Sequence, residues 1–485
     1  MQKKLMTMAV AGALGALSTG ALAQASSVQI YGTISTALEY AQAKGADNSL
    51  AGTSSWRNFG GVATGIGGVY TATPANRDGR MRVISSGSNF GLRGREDLGS
   101  GLYAGFQAEA AITLGGNSAQ SSGTGGTVTT WRNTGVWVGG NAWGEVGWGM
   151  WDTPFNINMG LAPAHAAYAN ASTTMVAGLL GVVPQGGGTI SGYTADAQCN
   201  PNFVVAAATT TVPNLTFGNT AANCFNWATS FHRRVSNSFW YQSPSWAGFR
   251  LRLHYGAPGN QSTPSDGSGT GTGGKLNPQL YGVSASYTLG GFYGGVGYEN
   301  HQDYIAVAAR NFGGLTLGGN AALLTLANIP IGATGVSGSS DNAWNVNLRY
   351  TFAFGLTLGA YAEWLKWKID YNVALPGNLQ DFDKKGYRFD VAYQIGPHTI
   401  GAQYGWATQM NCSVVATTCD GSNTEANTWI LGYAYSLSKR TSLTAYATWV
   451  NNKTNAAYNG IVFYGIGPAS GADPRYFGLG LRHTF

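Results

Sequence analysis

Apolar and polar residues alternate with a period of two along much of this chain, and this alternation limits what the chain can fold into. In residues 249–255 (FRLRLHY), for example, apolar side chains alternate with Arg250, Arg252 and His254. Such a period places alternate side chains on opposite faces of a β-strand. The apolar face is continuous in one segment after another and often ends in Trp or Tyr, as in the aromatic belts of membrane barrels. The pattern favours an all-β sheet with one lipid-facing surface over a soluble sandwich.

Charged residues are scarce in this chain. Asp, Glu, Lys and Arg make up only 10% of the residues, whereas an ordinary soluble domain has about 25%. The mean hydropathy is close to zero, at −0.07, and no segment after the N-terminus has the ~20 consecutive apolar residues of a membrane helix. These properties predict a transmembrane β-barrel, in which alternate residues face hydrocarbon and the others face water. The net charge of +6 is mildly basic and does not indicate nucleic-acid binding, which needs clustered Lys and Arg.

Short and long connections alternate along the chain, as they do in outer-membrane barrels. We predict short turns at residues 97–101, 139–144, 243–248, 288–291, 353–355, 396–397 and 438–440. These seven hairpins, with one strand at each terminus, predict a 16-stranded antiparallel transmembrane β-barrel formed by residues 24–485 as one domain. Residues 302–341 fit this layout poorly, because 305–327 are apolar enough to form extra strand, so eighteen strands stay possible.

The first residues have the features of a secretory signal peptide. Lys3 and Lys4 form a cationic start, residues 5–16 are apolar but too few to span a bilayer as a helix, and residues 21–23 (ALA) form a small-x-small cleavage site. We therefore predict that residues 1–23 are removed on export, which takes away two lysines and no acidic residue and lowers the net charge from +6 to +4. An uncleaved N-terminal anchor is the alternative.

The longest connection covers residues 152–231 and follows the fifth predicted strand. Between residues 153 and 231 the only Asp, Glu, Lys or Arg is Asp196, and loops of this length are usually functional or disordered. The four cysteines fall into two local pairs, neither of which has the C-x-x-C spacing. In an exported protein we predict two loop-closing disulfides, with free thiols as the alternative. The predicted pairs are Cys199 with Cys224 and Cys412 with Cys419.

Five segments, in the same order along the chain, resemble the trimeric general porins of Gram-negative bacteria, in particular the β-proteobacterial branch. They are residues 27–32 (SVQIYG), 88–99 (SNFGLRGREDLG), 237–249 (NSFWYQSPSWAGF), 433–441 (YAYSLSKRT) and 480–485 (GLRHTF). Each segment alone is a weak signal, but together they extend over nearly all of the mature chain. The resemblance implies a passive channel for small hydrophilic solutes in the outer membrane, assembled as a homotrimer and surrounded by lipid. It also implies that the C-terminal Phe485 is a signal for the outer-membrane assembly machinery.

The resemblance further implies a constriction loop at residues 152–231. In this family the loop after the fifth strand folds into the barrel, and its acidic residues face arginines on the wall. Two of the family's arginines are replaced in this chain, by Asn89 and Met150, and the loop has few acidic residues, so a strong transverse field is not expected. The candidate constriction residues are Trp151, Asp152, Phe155 and Asp196.

Strand parity predicts which charged residues line the lumen, although it leaves Arg132 and Arg234 uncertain. Rings of arginine favour anions in a pore, so we predict a mild anion preference. The alternative is that several arginines pair with lumen carboxylates, including Glu363, and only stiffen the wall. The candidate pore-lining residues are Arg93, Arg132, Arg234, Arg250, Arg252, Arg349, Arg388, Glu109 and Asp390.

Two other kinds of function can be weighed against a general channel. The loop aromatics, such as Trp151 and Phe155, allow a substrate-specific channel that binds an aromatic or weakly charged solute, although packing within the loop or against neighbouring subunits is the favoured explanation. An enzyme is not indicated, because the sequence has no G-x-S-x-G, H-E-x-x-H or P-loop motif and its six histidines lack metal-ligand spacing. An adhesin barrel would carry a large passenger domain, which the sequence does not contain. We predict no catalytic activity, no cofactor and no metal.

Overall fold

Nineteen β-strands form one antiparallel sheet that closes on itself. The computed structural model describes residues 27–46, 76–85, 87–112, 128–160, 162, 178–184, 230–256, 277–304, 336–371, 379–414, 419, 421–459, 466, 468 and 471–485. The strands are β1 (Ser27–Lys44), β2 (Arg77–Ser85), β3 (Asn89–Gly99), β4 (Leu102–Ile112), β5 (Val128–Trp131), β6 (Thr134–Gly140), β7 (Gly144–Asp152), β8 (Arg234–Gln242), β9 (Phe249–Gly256), β10 (Gln279–Leu289), β11 (Phe292–Gln302), β12 (Val336–Thr351), β13 (Leu356–Tyr371), β14 (Leu379–Ile395), β15 (His398–Ala407), β16 (Asn411–Val414), β17 (Ala426–Ser436), β18 (Thr441–Asn452) and β19 (Asp473–Thr484).

Three of the barrel strands are each interrupted once, so the nineteen segments form sixteen barrel strands. β2 and β3 pair with successive parts of β1, β5 and β6 with successive parts of β4, and β15 and β16 with successive parts of β14. β1 also pairs with β19 from Thr33↔Thr484 to Lys44↔Asp473, which closes the sheet. Closure removes the unpaired edges that hydrocarbon cannot hydrate. The predicted 16-stranded antiparallel barrel is confirmed.

The alternative of eighteen strands is excluded by the pairing of β11 with β12. These two strands are hydrogen-bonded neighbours from Phe292↔Tyr350 to Gln302↔Ser340, which leaves no place in the wall for a strand between them. Residues 305–335, part of the stretch that fitted the layout poorly, lie outside the described residues.

All seven predicted short turns join neighbouring strands, at one end of the barrel, which we call the short-turn end. In the turn between β12 and β13, Gly355 has φ +96°, and a Cβ there would lie 2.4 Å from the carbonyl oxygen of Gln394. Only glycine fits this position without strain. The opposite end, where the longer connections begin, is the long-loop end.

The outer surface is apolar and has aromatic residues at both ends. Tyr298 of β11 pairs with Trp344 of β12, which pairs with Trp364 of β13, forming a row near the long-loop end. Phe292 and Tyr350 occupy the same strands near the short-turn end and are exposed. The rows form the two aromatic belts expected of a membrane barrel.

One helix follows the fifth barrel strand. α1 (Pro154–Met159) begins after Thr153, whose side chain accepts a hydrogen bond from the backbone N–H of Asn156, and Pro154 supplies the fixed φ that suits a first helical position. Among the described residues, no helix has both the length and the apolar character needed to cross a bilayer.

One of the two predicted cysteine pairs falls on described residues. Cys412 of β16 forms a disulfide with Cys419 in the connection to β17, with their Cα atoms 5.7 Å apart. Cys199 and Cys224 lie outside the described residues, as does Asp196.

A buried ion pair joins strands across the barrel seam. Glu39 of β1 is fully buried, and Arg82 of β2 lies 2.5 Å from its carboxylate. The hydroxyl of Tyr446 on β18 donates to the other carboxylate oxygen at 2.6 Å. Glu39 therefore connects three barrel strands on the lumen side.

We expect Glu39→Gln to destabilise the barrel by about 3 kcal/mol, because it leaves the half-buried Arg82 without its carboxylate. The measurement is the urea midpoint of the barrel refolded into lipid vesicles. Lys44→Gln is the matched control, since it removes an ion pair with Asp78 that is exposed on both sides and should have little effect. Equal midpoints for the two variants would contradict the assigned role of Glu39.

Candidate functional site

The first part of the 152–231 loop lies against the inner wall of the barrel. Asn345 and Asn347 of β12 alternate with lipid-facing residues, so they face the lumen. Asn345 donates from Nδ2 to the carbonyl oxygen of Phe155 at 3.0 Å, and Asn347 donates to the carbonyl oxygen of Asn158 at 2.7 Å. Asn158 in turn donates to Oδ1 of Asn345 at 2.8 Å. Three side chains therefore anchor α1 on the wall.

A second described part of the loop, residues 178–184, is bound further round the same wall. The backbone N–H of Gly181 donates to Glu363 of β13 at 2.8 Å, and Lys384 of β14 donates from Nζ to the carbonyl oxygen of Leu179. Arg388 donates from Nη1 to the carbonyl oxygen of Met159 at 2.7 Å. The loop thus satisfies its backbone groups with charged side chains of the wall, as buried backbone requires.

Glycines on the lumen face allow this close approach. A Cβ at Gly282 of β10 would lie 2.9 Å from Cδ of Pro154, and a Cβ at Gly386 of β14 would lie 2.5 Å from Cδ2 of Leu180. Both parts of the loop therefore lie where the wall lacks side chains.

The loop returns to the wall at residues 230–233, beside a buried charged cluster. Phe231 stacks on His301 with ring centroids 4.5 Å apart, and Nε2 of His301 lies 2.6 Å from Glu299. The guanidinium of Arg233 lies 4.6 Å from the ring centroid of Tyr304, and its charge acts on Glu299 and His301. This cluster was not predicted from the sequence, although the alternation along β11 places Glu299 and His301 in the lumen.

The neighbouring imidazole of His232 is buried. Burial lowers the pKa of His232 to about 4, and the nearby charge of Asp152 offsets this effect only in part. His232 is therefore neutral near pH 7.

Three of the predicted pore-lining arginines form ion pairs. Arg132 pairs with Glu109, Arg234 with Asp152 at 3.0 Å, and Arg388 with Asp390 at 2.7 Å. Glu109 and Asp390 therefore each bind an arginine already. Pairing of these three arginines with carboxylates is what the alternative interpretation predicts, in which the charges stiffen the wall.

The other four predicted arginines have no carboxylate within ion-pair distance among the described residues; they are Arg93, Arg250, Arg252 and Arg349. Arg93 donates to Oε1 of Gln29 at 2.9 and 3.0 Å, and Arg252 donates to Gln242 at 2.8 Å. The guanidinium of Arg349 lies 5.2 Å from the ring centroid of Tyr293. A further arginine of this kind, Arg95, lies 3.7 Å from the ring centroid of Tyr103. Arg95 lies two residues after Arg93 on the same face of β3, so the alternation in the sequence also predicts that it lines the lumen.

The candidate constriction residues have different environments. Asp152 accepts from Arg234, from Asn133 at 2.9 Å and from Asn156 at 3.1 Å, so it is part of a hydrogen-bonded network. Phe155 is fully buried, 5.7 Å from the ring of Phe231. Trp151 is half-buried and joins a tryptophan cluster on the lumen face. Its ring centroid lies 5.9 Å from that of Trp137 and 5.1 Å from that of Trp240.

The positions of the missing family arginines and of the C-terminus are also defined. Asn89 donates weakly to the carbonyl oxygen of Gly87 at 3.4 Å, and Met150 pairs with Thr134 in β6. Phe485 is 42% exposed, and its backbone N–H donates to the carbonyl oxygen of Gly32 in β1 at 3.1 Å. The described part of the chain contains no group of three His, Cys, Asp or Glu residues arranged to hold a metal.

A closed sixteen-stranded barrel with a loop inside its lumen and an apolar outer surface defines an outer-membrane channel of the porin type. A family profile described as Gram-negative porin matches residues 8–455. The chain belongs to this family, and it is an outer-membrane porin.

Individual relatives agree with this assignment. The chain is similar to an outer membrane porin protein of Bordetella pertussis, with 24% identity over 435 residues that cover 84% of this chain and 85% of the relative. The fold is similar to that of the anion-selective porin from Comamonas acidovorans (TM-score 0.56, 18% identity), over 95% of this chain and 100% of the other. It is also similar to that of OmpT, an outer membrane protein of Vibrio cholerae (TM-score 0.51, 12% identity), over 96% and 100% of the two chains.

We expect the double variant Asn345→Leu/Asn347→Leu to release α1 from the wall. It removes the hydrogen bonds to Phe155 and Asn158, each worth about 1 kcal/mol, and leaves their carbonyl groups unpaired. Single-channel conductance should change in amplitude or become noisy. Asn342→Leu, on the outer face of the same strand, is the control and should leave the conductance unchanged. A double variant indistinguishable from the control would mean that these asparagines do not hold the loop.

Proposed function

We propose that this porin is a passive diffusion channel for small hydrophilic solutes and ions with a mild preference for anions, and that it has no catalytic activity. The observation that carries the anion preference is the set of lumen arginines without a carboxylate partner among the described residues. They include the predicted Arg93, Arg250, Arg252 and Arg349, together with Arg95. Rings of arginine in a pore favour anions.

Three of the lumen carboxylates are already paired with arginines. Glu109, Asp152 and Asp390 are each bound to an arginine of their own, so they contribute little net charge to a passing ion. The fold is shared with a porin described as anion-selective. The family consists of channels, which supports the absence of catalysis.

Several further features belong to this proposal. Residues 1–23 are a signal peptide that is cleaved on export, and residues 152–231 form the constriction loop, supported by the lumen contacts of α1 and of residues 178–184. The barrel assembles as a homotrimer in the lipid of the outer membrane. Phe485 is a recognition signal for the assembly machinery, supported by its exposed position at the end of the last strand.

In a planar bilayer with a KCl gradient, we expect a reversal potential that corresponds to an anion-to-cation permeability ratio above one. Arg93→Gln should lower that ratio, by no more than several-fold, because one unit charge at ~4 Å in water is worth about 1 kcal/mol.

The control is the double variant Arg132→Gln/Glu109→Gln, which removes a paired cation and anion together and should leave the ratio unchanged. A cation-signed potential for the unmodified porin would disprove the proposed anion preference.

A second candidate function is a channel specific for an aromatic or weakly charged solute. The observation that favours it is the tryptophan cluster on the lumen face, in which Trp137 and Trp151 are half-buried and Trp240 is buried. The full burial of Phe155 weighs against a larger loop-built site.

If this second candidate is correct, Trp151→Ala should reduce the uptake of benzoate into liposomes several-fold more than the uptake of acetate, because stacking on aromatic rings is worth about 0.5–1.5 kcal/mol. Trp143→Ala, on a tryptophan of the adjoining short turn, is the control. Equal effects on both solutes would leave the general channel as the function.

A further inference from the structure

Several lumen arginines that have no carboxylate within ion-pair distance among the described residues lie near the short-turn end of the barrel. Arg250 and Arg252 lie at the start of β9, Arg95 lies in the last part of β3, and Arg349 lies next to the end of β12. We call these four residues the mouth cluster. All four alternate with lipid-facing residues of their strands, so they project into the lumen.

A hydrogen-bonded row of side chains runs from Arg252 to Tyr103, the ring over which Arg95 lies. Tyr103, Glu145, Gln242 and Arg252 occupy one level of neighbouring strands, with Gly139 between the first two. Glu145 accepts from the hydroxyl of Tyr103 at 3.2 Å and from Nε2 of Gln242 at 3.3 Å. Gln242 in turn accepts from Nε of Arg252 at 2.8 Å. The row is a built polar surface and not a set of unrelated exposed residues.

Glu145 is the carboxylate on which most of these arginines act. The charges of Arg250, Arg95 and Arg252 all act on Glu145, and those of Arg252 and Arg349 act on the ring of Tyr293 between them. Arg95, Arg250 and Arg252 therefore share Glu145, and Arg349 has no carboxylate within ion-pair distance among the described residues, so positive charge is in excess. Nε of Arg250 is buried and has no hydrogen-bond partner among the described residues.

Aromatic and amide groups hold the arginines without neutralising them. Arg95 lies over Tyr103 at 3.7 Å and Arg349 over Tyr293 at 5.2 Å, so a ring face supports each guanidinium plane. Such stacking leaves the N–H groups at the edge of the guanidinium available to a ligand. At the long-loop side, by contrast, Arg82 and Arg234 are each paired with a carboxylate.

We infer that the mouth cluster is a binding site for compact oxyanions that carry two or more negative charges, such as phosphate or a small polycarboxylate. A monovalent anion would leave most of the excess charge uncompensated, whereas a multivalent oxyanion can offset it and accept several charge-assisted hydrogen bonds. The planar fork of each arginine matches two oxygens of a phosphate or carboxylate group. This inference rests on the proposed anion-conducting pathway and adds a defined site within it.

The test uses the mature porin in a planar bilayer in KCl at mildly alkaline pH, where inorganic phosphate is mainly a dianion. Phosphate, citrate and acetate are added separately, and the chloride current is recorded. We expect phosphate and citrate to block the current in a saturable way and acetate to have no such effect. A block by phosphate alone would assign the site to phosphate, and a block by citrate alone would assign it to polycarboxylates.

The decisive variant is Arg250→Gln/Arg252→Gln. The concentration for half-block should rise about tenfold or more, because the variant removes charge-assisted hydrogen bonds to the bound anion. Lys366→Gln/Lys368→Gln is the matched control, since it removes two exposed positive charges from the outer face of β13 and should leave the block unchanged. Heat-modifiable migration in SDS gels shows that both variants are folded.

The outcomes separate this inference from the proposed function. An anion-signed potential in KCl without saturable block by either multivalent anion would overturn the site and keep the anion-preferring channel. Equal shifts in the two double variants would also overturn the site, because the effect would then follow total charge. A cation-signed potential would overturn the proposed function itself.

Discussion

Every backbone N–H and C=O group that crosses hydrocarbon needs a partner within the protein, and the barrel depends on this requirement. The pairing of β1 with β19 meets it by closing the sheet. Once the sheet is closed, alternate side chains must point either to lipid or to the lumen. The apolar outer face, the polar interior and the even number of strands all follow from this one constraint.

The interior has to satisfy polar groups of its own, and it does so differently at its two ends. Toward the long-loop end, wall residues such as Asn345, Glu363 and Lys384 bind the backbone of the inserted loop. There, buried arginines such as Arg234 are matched by carboxylates. Toward the short-turn end no loop covers the wall among the described residues, and arginines such as Arg252 and Arg349 bind amides and aromatic rings. The charge that an ion meets therefore changes along the axis.

The sequence predicted the barrel well because alternation and turn chemistry are local signals. The sixteen strands, the seven short turns and the lumen side of Arg93, Arg250 and Arg252 needed no long-range information. The partners of the charged residues did depend on long-range information. Arg132, for example, lies in the interruption between β5 and β6, and the pairing of these two segments with β4 brings it to Glu109. The anchoring of α1 by Asn345 joins residues far apart in sequence. No local pattern specifies such a contact.

The absence of side chains at Gly282 and Gly386 has a consequence for how porins of this kind diverge. Both parts of the loop lie flush against the wall because these two positions are empty. A larger residue at either position would displace the loop toward the axis and narrow the bore, with no change in the loop itself. Single substitutions in the strands can therefore change the size limit for permeating solutes, while the distribution of charge along the pathway is preserved.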